Sequence, residues 1–324
     1  MIRSRRRALL AGGLALAGLG ACAALRLGAE PATPLPPLPL PPDAGLESRG
    51  GLELNRHAIG FGGLSSLHIA DDLTLTAVSD LGHWLQARLV LDTTGQPQAL
   101  EALRTGPLRS DFVLPPPGPL RRDAESLARL PDGTWLVGFE RWHHICIYRR
   151  LDAPCEVLQS PPPGLSRAPV NEGLESLTVL PDGRWLAITE RLVVGAGPLM
   201  RAWIGTPGRW TLLRYRPSPG FVPTDVCPLP DGGALVVERR FKLWEGGFSG
   251  RLQRIPAAQL ADPVPESILQ PEPLLLDLPH ENWEGVSCFR HAGRDWVAVM
   301  ADDNEMFFQR GLLLLFTLRS SGRR

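Results

Sequence analysis

The chain has no surplus of charge: its 324 residues carry 34 basic and 34 acidic side chains, a formal net charge of zero. No global field draws it to nucleic acid or to an anionic membrane surface, so any charge-based chemistry has to be local. Cysteine is scarce, five in all, with no Cys-x-x-Cys pair and no Cys/His ladder. That excludes a zinc module and a dense disulfide framework. There is no Gly-x-Ser-x-Gly elbow, which leaves serine-esterase chemistry of the α/β-hydrolase type without support. Neither a P-loop nor a Gly-x-Gly-x-x-Gly strand-to-helix unit occurs. What the chain does hold is 34 Gly and 33 Pro beside 44% hydrophobic residues. This is enough apolar material for a large core, punctuated for many short strands rather than long helices.

Residues 1–25 read as an address. Ser4-Arg5-Arg6-Arg7-Ala8-Leu9-Leu10 sets paired arginines ahead of an uncharged run from Ala8 to Leu25. That is the layout of a twin-arginine export signal, with Ala8 where the motif usually has Phe. Leu19-Gly20-Ala21-Cys22 has the form of a lipobox, in which Cys22 would be lipidated and become the mature N-terminus. The competing reading is an uncleaved anchor, since about 18 apolar residues reach the lower limit for spanning a bilayer. Both readings place the protein in the periplasm or cell envelope. The stretch 26–49, proline-rich from Pro34 to Pro42, is expected to be an extended, semi-rigid spacer, because proline lacks the backbone donor of helix and inner strand. Residues 319–324 form a basic tail.

Between these ends the chain repeats itself. Glu125-Ser126-Leu127 to Glu140-Arg141, with Pro131-Asp132-Gly133 in the middle, returns 50 residues later as Glu175-Ser176-Leu177 to Glu190-Arg191 around Pro181-Asp182-Gly183. A third copy runs from Asp225 through Pro230-Asp231-Gly232 to Glu238-Arg239, and weaker copies run from Ser65 to Asp80 and from Glu284 to Asp302. Each unit is a short apolar run, a turn and a second apolar run, the pattern of a tight β-hairpin. Intervening segments such as Ile145-Cys146-Ile147-Tyr148 suit outer strands. Two inner and two outer strands per repeat make a propeller blade. The expectation is an all-β, five-bladed β-propeller over residues 50–318 with four-stranded blades. Six blades remain open if 240–281 hides a degenerate one. Leu312–Phe316 is expected to pair with an N-terminal strand near Leu54 to Phe61 and close the ring.

Counting back from the turns, with Leu130 opposite Trp135, sets Glu125 opposite Glu140, Glu175 opposite Glu190, Asp225 opposite Glu238, Ser65 opposite Asp80 and Glu284 opposite Asp302. Up to nine carboxylates would then gather at the channel mouth away from the turns. Such crowding calls for compensation. A hard cation such as Ca²⁺ suits convergent carboxylates, with Asp80, Glu140, Glu190, Glu238 and Asp302 as ligands. Arg141, Arg191 and Arg239 supply the other compensation and would bind an anionic ester. Glu125, Glu175, Asp225 and Glu284 are the candidate catalytic acids. The bland alternative is that these acids accept backbone amides and tie the blades together. His143-His144 fits an outer-loop or cation-stacking role as well as a functional one. Trp135 and Trp185 read as blade packing. Cys146 with Cys155, and Cys227 with Cys288, would either bridge or remain buried thiols.

Gly62-Gly63-Leu64-Ser65-Ser66-Leu67, Ala77-Val78-Ser79-Asp80-Leu81-Gly82-His83-Trp84, Asp123-Ala124-Glu125-Ser126-Leu127, Asn171-Glu172-Gly173-Leu174-Glu175-Ser176-Leu177, Pro223-Thr224-Asp225, Val237-Glu238-Arg239-Arg240-Phe241 and Asn282-Trp283-Glu284-Gly285-Val286 with Asp302-Asp303-Asn304 resemble the phytase-like domain family. The resemblance covers about residues 50–318. It implies an exported propeller with esterase-like activity, distantly similar to calcium-dependent propeller phytases, and it supports the same acids. The Asp-Asp-Pro-Ala and Asn-Asn-Val-Asp stretches of true propeller phytases have no counterpart, so phytate is not implied as substrate. Two classes follow. One is a metal-dependent hydrolase of a small phosphoester or other ester, monomeric, without nucleic-acid partners, and membrane-anchored through Cys22 or the leader. The other is a non-catalytic envelope scaffold that binds a ligand or protein partner.

Overall fold

The computed structural model describes residues 30–42, 44–112, 123–195, 197–304 and 309–319. Residues 1–29, on which the expected export signal and Cys22 fall, and the tail beyond Arg319 lie outside the described residues. Five small antiparallel sheets stand in a ring, a five-bladed β-propeller. Blade 1 is Leu64–Ile69, Thr74–Ser79, His83–Leu91 and Pro97–Pro107. Blade 2 is Ala124–Arg129, Trp135–Phe139, His144–Tyr148 and Val157–Gln159. Blade 3 is Ser176–Val179, Trp185–Val193, Met200–Thr206 and Arg209–Tyr215. Blade 4 is Val222–Pro228, Ala234–Lys242, Gly247–Ile255 and Glu272–Leu278. Blade 5 takes Asn282–His291, Arg294–Asp302 and Gly311–Leu318 from the C-terminal end of the chain.

Its fourth strand, Leu46–Leu54, comes from the N-terminal side and pairs Leu54 with Gly311 and Leu46 with Leu318. Ring closure therefore happens as the apolar run 312–316 suggests, but with an earlier segment. Arg56–Ile59 is instead a helical turn, capped by the Asn55 side chain on the amides of His57 and Ala58. The segment 240–281 holds no sixth blade. It completes the outer half of blade 4 and lends Ile268–Leu269 as a parallel fifth strand to blade 3.

The proline-rich stretch is not a free spacer. Ala32–Leu35 forms the outermost strand of blade 5, pairing Ala32 with Leu54, and Leu35, Leu38 and Leu40 pack against a core cluster between blades 4 and 5. Pro34 is tolerated because an edge strand needs no donor on its open side.

The inner hairpins carry the site. At the Pro-Asp-Gly turns the glycine adopts φ of +87, +86 and +87° at Gly133, Gly183 and Gly232, a region that only glycine enters without cost. The preceding aspartate caps the loop, Asp132 accepting the amide of Thr134 at 2.9 Å and Asp182 that of Arg184 at 2.9 Å. This loop holds one residue more than the turn-based count assumes, and Arg129, not Leu130, faces Trp135.

A second shift lies nearer the mouth. The ladder slips by one residue at a β-bulge over Ser65 in blade 1, Glu125 in blade 2, Thr224 in blade 4 and Glu284 in blade 5. Blade 3 does the same at Glu175, since Ser176 faces Ile188 while the Glu190 amide bonds the Gly173 carbonyl at 3.0 Å. A bulge leaves its extra residue unpaired and re-aims the side chain. None of the expected acid-to-acid pairs is therefore a ladder pair.

Candidate functional site: an acidic well at the channel mouth

The bulges set two residues of the first strand against one of the second. In blade 2 the Glu140 amide bonds the Asp123 carbonyl at 2.8 Å, and Glu125 swings out between them. A cross-strand acid pair thus becomes a triad. Carboxylate oxygens of Asp123, Glu125 and Glu140 all lie within 4.8 Å of one another. Asp123 is the member that motif reading passes over. Its signal is the Asp-Ala-Glu spacing, since residues two apart project from the same face of a strand.

Across the ring the bulge positions are Ser65, Glu125, Glu175, Thr224 and Glu284, and the second-strand residues at the same mouth, each paired with the residue two before the bulge, are Asp80, Glu140, Glu190, Arg239 and Asp302. Blade 4 therefore contributes a threonine and an arginine where blades 2, 3 and 5 contribute two acids each and blade 1 a serine and an acid. Arg239 reaches Glu190 of blade 3 at 3.0 Å, Asn282 at 2.7 Å and Glu284 of blade 5 in direct contact. Thr224 donates to the Trp283 carbonyl at 2.9 Å.

Two expected members of the well sit elsewhere because of this one-residue slip. The Glu238 side chain is buried between blades 3 and 4, accepting the Tyr215 hydroxyl at 2.7 Å and the Ser218 amide at 3.2 Å. Asp225 lies in the centre of the ring, where its Oδ2 takes the Ser66 hydroxyl at 3.1 Å and the Val286 amide at 2.9 Å. Ser66 in turn accepts the Leu127 amide at 3.1 Å, so one chain of bonds ties blades 1, 2, 4 and 5. These two acids serve the packing role that the bland reading assigns.

The remaining acids divide. Glu140 accepts the Gly173 amide of blade 3, and Asp302 accepts the Leu64 amide of blade 1 at 3.1 Å. Each caps a neighbouring blade with one oxygen. Glu125, Glu175 and Glu284 accept no backbone amide among the described residues; Glu284 is held by Arg239, and Glu125 and Glu175 lie within electrostatic reach of Glu140, Glu284 and their neighbours.

Crowding and burial show in their acidity. Burial first, then the facing Asp123 and a hydrogen bond to it, push the Glu125 carboxyl well above the usual carboxylate range. Burial and Glu190 push Glu175 up, against the pull of Arg239. Glu140 is raised to about 8, by burial most of all, with the Gly173 amide opposing. Burial also raises Glu284 to about 8, although Arg239 opposes it, and Asp302 to about 6. Such groups hold protons near neutral pH unless a cation replaces them.

The three expected anion-binding arginines are all engaged. Arg141 pairs with Asp123, Arg191 with Glu172 at 2.8 Å, and Arg239 as described. Arg239 neutralises the side of the well formed by Glu190 and Glu284, and the blade 2 side is left with a carboxyl excess. All-oxygen donors at that spacing fit a hard cation and not a thiophilic one, so the Asp123, Glu125 and Glu140 triad can hold a metal ion.

Other singled-out residues fall into place around the well. His143 and His144 are buried and not in an outer loop. The His143 ring sits where a Cβ on Gly173 would strike it at 2.3 Å, and His144 stacks on Phe139 at 4.7 Å. Trp135 and Trp185 are buried between strands. Cys146 touches Cys155 and Cys227 touches Cys288, all four as free thiols.

A ring of bulged inner hairpins around a carboxylate well defines a propeller with a polar site at one channel mouth. The model of the phytase-like family, described as esterase-like activity of phytase, matches residues 59–305, and the chain belongs to that family. No curated protein matches it significantly. Among solved structures it is similar to an endo-arabinase from Bacteroides thetaiotaomicron, at 14% identity over 79% of this chain and 94% of that one, with a TM-score of 0.47. A luciferin-regenerating enzyme gives 12% identity over 79% and 91%, TM-score 0.43. A putative gluconolactonase gives 9% over 86% and 96%, TM-score 0.42. At such identities no activity transfers from any of them.

Proposed function

We propose that the well is the active site of an exported, metal-dependent hydrolase of a phosphoester or other ester, with Ca²⁺ the cation. The observation that carries this reading is the convergence of Asp123, Glu125 and Glu140, with Glu175 close by and accepting no backbone amide among the described residues. These three residues would hold the ion, with Asp80, Glu190 and Asp302 further round the same mouth. When bound, the ion supplies Lewis-acid polarisation of the ester oxygen and a more acidic water.

The protein's own groups supply the rest. Glu175, whose proton is held by burial and by Glu190, is placed to donate it to the leaving oxygen. Arg239 keeps Glu190 and Glu284 in position and fixes the sign of the field on that side. Glu284 is the second candidate proton carrier. Phytate is disfavoured, since a polyanion would enter a well in which carboxylates outnumber free cations. The leader supports delivery to the periplasm or envelope, with attachment through Cys22 or the uncleaved run.

Hydrolysis of p-nitrophenyl carboxylesters and phosphomonoesters, measured with Ca²⁺ and with chelator, tests the reading. Turnover should disappear on chelation and fall about 100-fold or more in Glu175→Gln, the scale of a lost general acid. An absence of metal-dependent turnover across both substrate classes refutes it. In that event the amide-capping by Glu140 and Asp302 favours the second reading, a ligand-binding scaffold.

A further inference from the structure

The first residues of the described chain locate where the leader joins the propeller. The Pro31 carbonyl accepts the Asn55 amide at 2.9 Å, and the Asn55 side chain reaches the Glu30 carbonyl at 3.3 Å. Asn55 follows strand Leu46–Leu54 at its mouth end, beside the Arg56–Asp303 pair at 3.6 Å. The chain thus enters the fold on the face that carries the acidic well. Only residues 26–29 separate the apolar run ending at Leu25 from Glu30. Even from Cys22 the tether spans at most about 30 Å when fully extended. Presenting the opposite, turn-bearing face to a membrane would consume all of it, since strand Leu46–Leu54 alone is about 30 Å long.

The same face exposes large apolar side chains. The second and third strands of blade 4 run past Arg239 as a paired hairpin, Phe241 facing Phe248 and Lys242 facing Gly247. At the tip, Leu243 is 78% and Trp244 82% exposed. Leu81, Trp142 and Val193, on the equivalent mouth-side segments of blades 1, 2 and 3, are exposed as well. The tip carries one net positive charge, because Lys242 at 2.8 Å and Arg240 at 2.5 Å share the single carboxylate of Glu245. An indole and a leucine on a short projection flanked by two basic side chains match the lipid interface, where amphipathic rings sit at headgroup level and basic stems reach the polar layer. They do not match a polyanion.

We infer that this mouth face is a lipid-docking surface, with the Leu243–Trp244 tip seated in the bilayer interface and the well opening toward the membrane. The occupant is a phospholipid surface, bound through apolar contact and not through net charge. This inference stands apart from the catalytic reading and survives its failure.

Lys242 is the only lysine in the chain, so an amine-reactive, environment-sensitive dye, added once the N-terminal amine has been blocked, reports on the tip. The full chain carrying that dye is mixed with phosphatidylcholine vesicles. The dye should shift to the blue and become shielded from an aqueous quencher, in 50 mM and 500 mM salt alike by roughly the same amount, as expected for uncharged docking. The same dye moved to the turn face, in Lys242→Arg with Asp182→Lys, should stay exposed to water. Leu243→Ser with Trp244→Ser should weaken shielding about tenfold or more, given the apolar area removed, and leave the thermal midpoint unchanged. A tip dye that remains quenchable on vesicle-bound protein overturns the inference. So does a chain that ignores vesicles, or shielding by a co-purified protein in the absence of lipid.

Discussion

Arg239 and Glu190 meet across a blade boundary at 3.0 Å, the arginine standing in a ring position that the four other blades fill with an acid, Asp80, Glu140, Glu190 and Asp302. Its second arm holds Glu284 and Asn282, and one guanidinium so becomes the counterion for two carboxylates from blades 3 and 5. The positive charge is itself further stabilised by Glu284, Glu175 and Glu190.

Replacing Arg239 with Met should therefore cost about 3–5 kcal/mol, the scale of leaving a buried charge uncompensated. Denaturant unfolding at neutral pH measures it. The loss should grow at pH 9, where Glu284, held near 8 with Arg239 in place, gives up its proton. A variant as stable as the wild type would show that the pair contributes nothing.

The metal-free protein should lose stability as pH rises. Glu140 and Glu284 titrate near 8 in the folded chain, against a usual value of 4.5. Between roughly pH 4.5 and 8 the native state therefore binds more protons than the unfolded state, and stability falls as these are removed. The melting temperature in chelator should drop by about 5 °C or more from pH 5 to pH 8, a few kcal/mol for a chain of this size. Added Ca²⁺ should flatten the drop. A melting temperature that climbs over this range in chelator contradicts the assignment.

Asp225 should behave as structure and not as chemistry. Asp225→Ala strands the Ser66 hydroxyl and the Val286 amide at the ring axis, at a cost of about 3 kcal/mol or more. The surviving folded fraction should bind Ca²⁺ with unchanged affinity. Loss of cation binding in a protein that still melts cooperatively would return Asp225 to the site.

Gly173→Ala should damage the triad from a distance. A Cβ there would meet the His143 ring at 2.3 Å, and the Gly173 amide is the bond that holds Glu140. The expected cost is about 1–3 kcal/mol, as for overpacking, together with weaker cation binding. Thermal unfolding and titration of Ca²⁺ check both, and a silent variant would show that the loop yields freely.

Much of the fold is legible in the sequence. Strand number, hairpin turns and ring closure follow from a repeat that spells its own punctuation, because Pro-Asp-Gly dictates a local conformation that tertiary contacts need not override. Register does not have that protection. A bulge adds a residue without marking it in the sequence, and it moved every pairing near the mouth. One signal was available: Asp231 follows Asp182 by 49 residues, while Asp182 follows Asp132 by 50. Aligned on the turns, Thr224 and Arg239 take the ring positions, and Asp225 and Glu238 fall one step away. The proline-rich strand at Ala32–Leu35 was hidden for a different reason. Composition describes an isolated chain, and an edge position relieves the donor that proline lacks.

Calorimetric titration of Ca²⁺ into the purified, chelator-treated protein at pH 7 tests the cation site most directly. A single class of sites, binding with release of protons from the raised carboxyls and abolished in Glu125→Gln, is the predicted result. No binding heat in the wild type, or equal binding in Glu125→Gln, would contradict the placement of a metal on Asp123, Glu125 and Glu140.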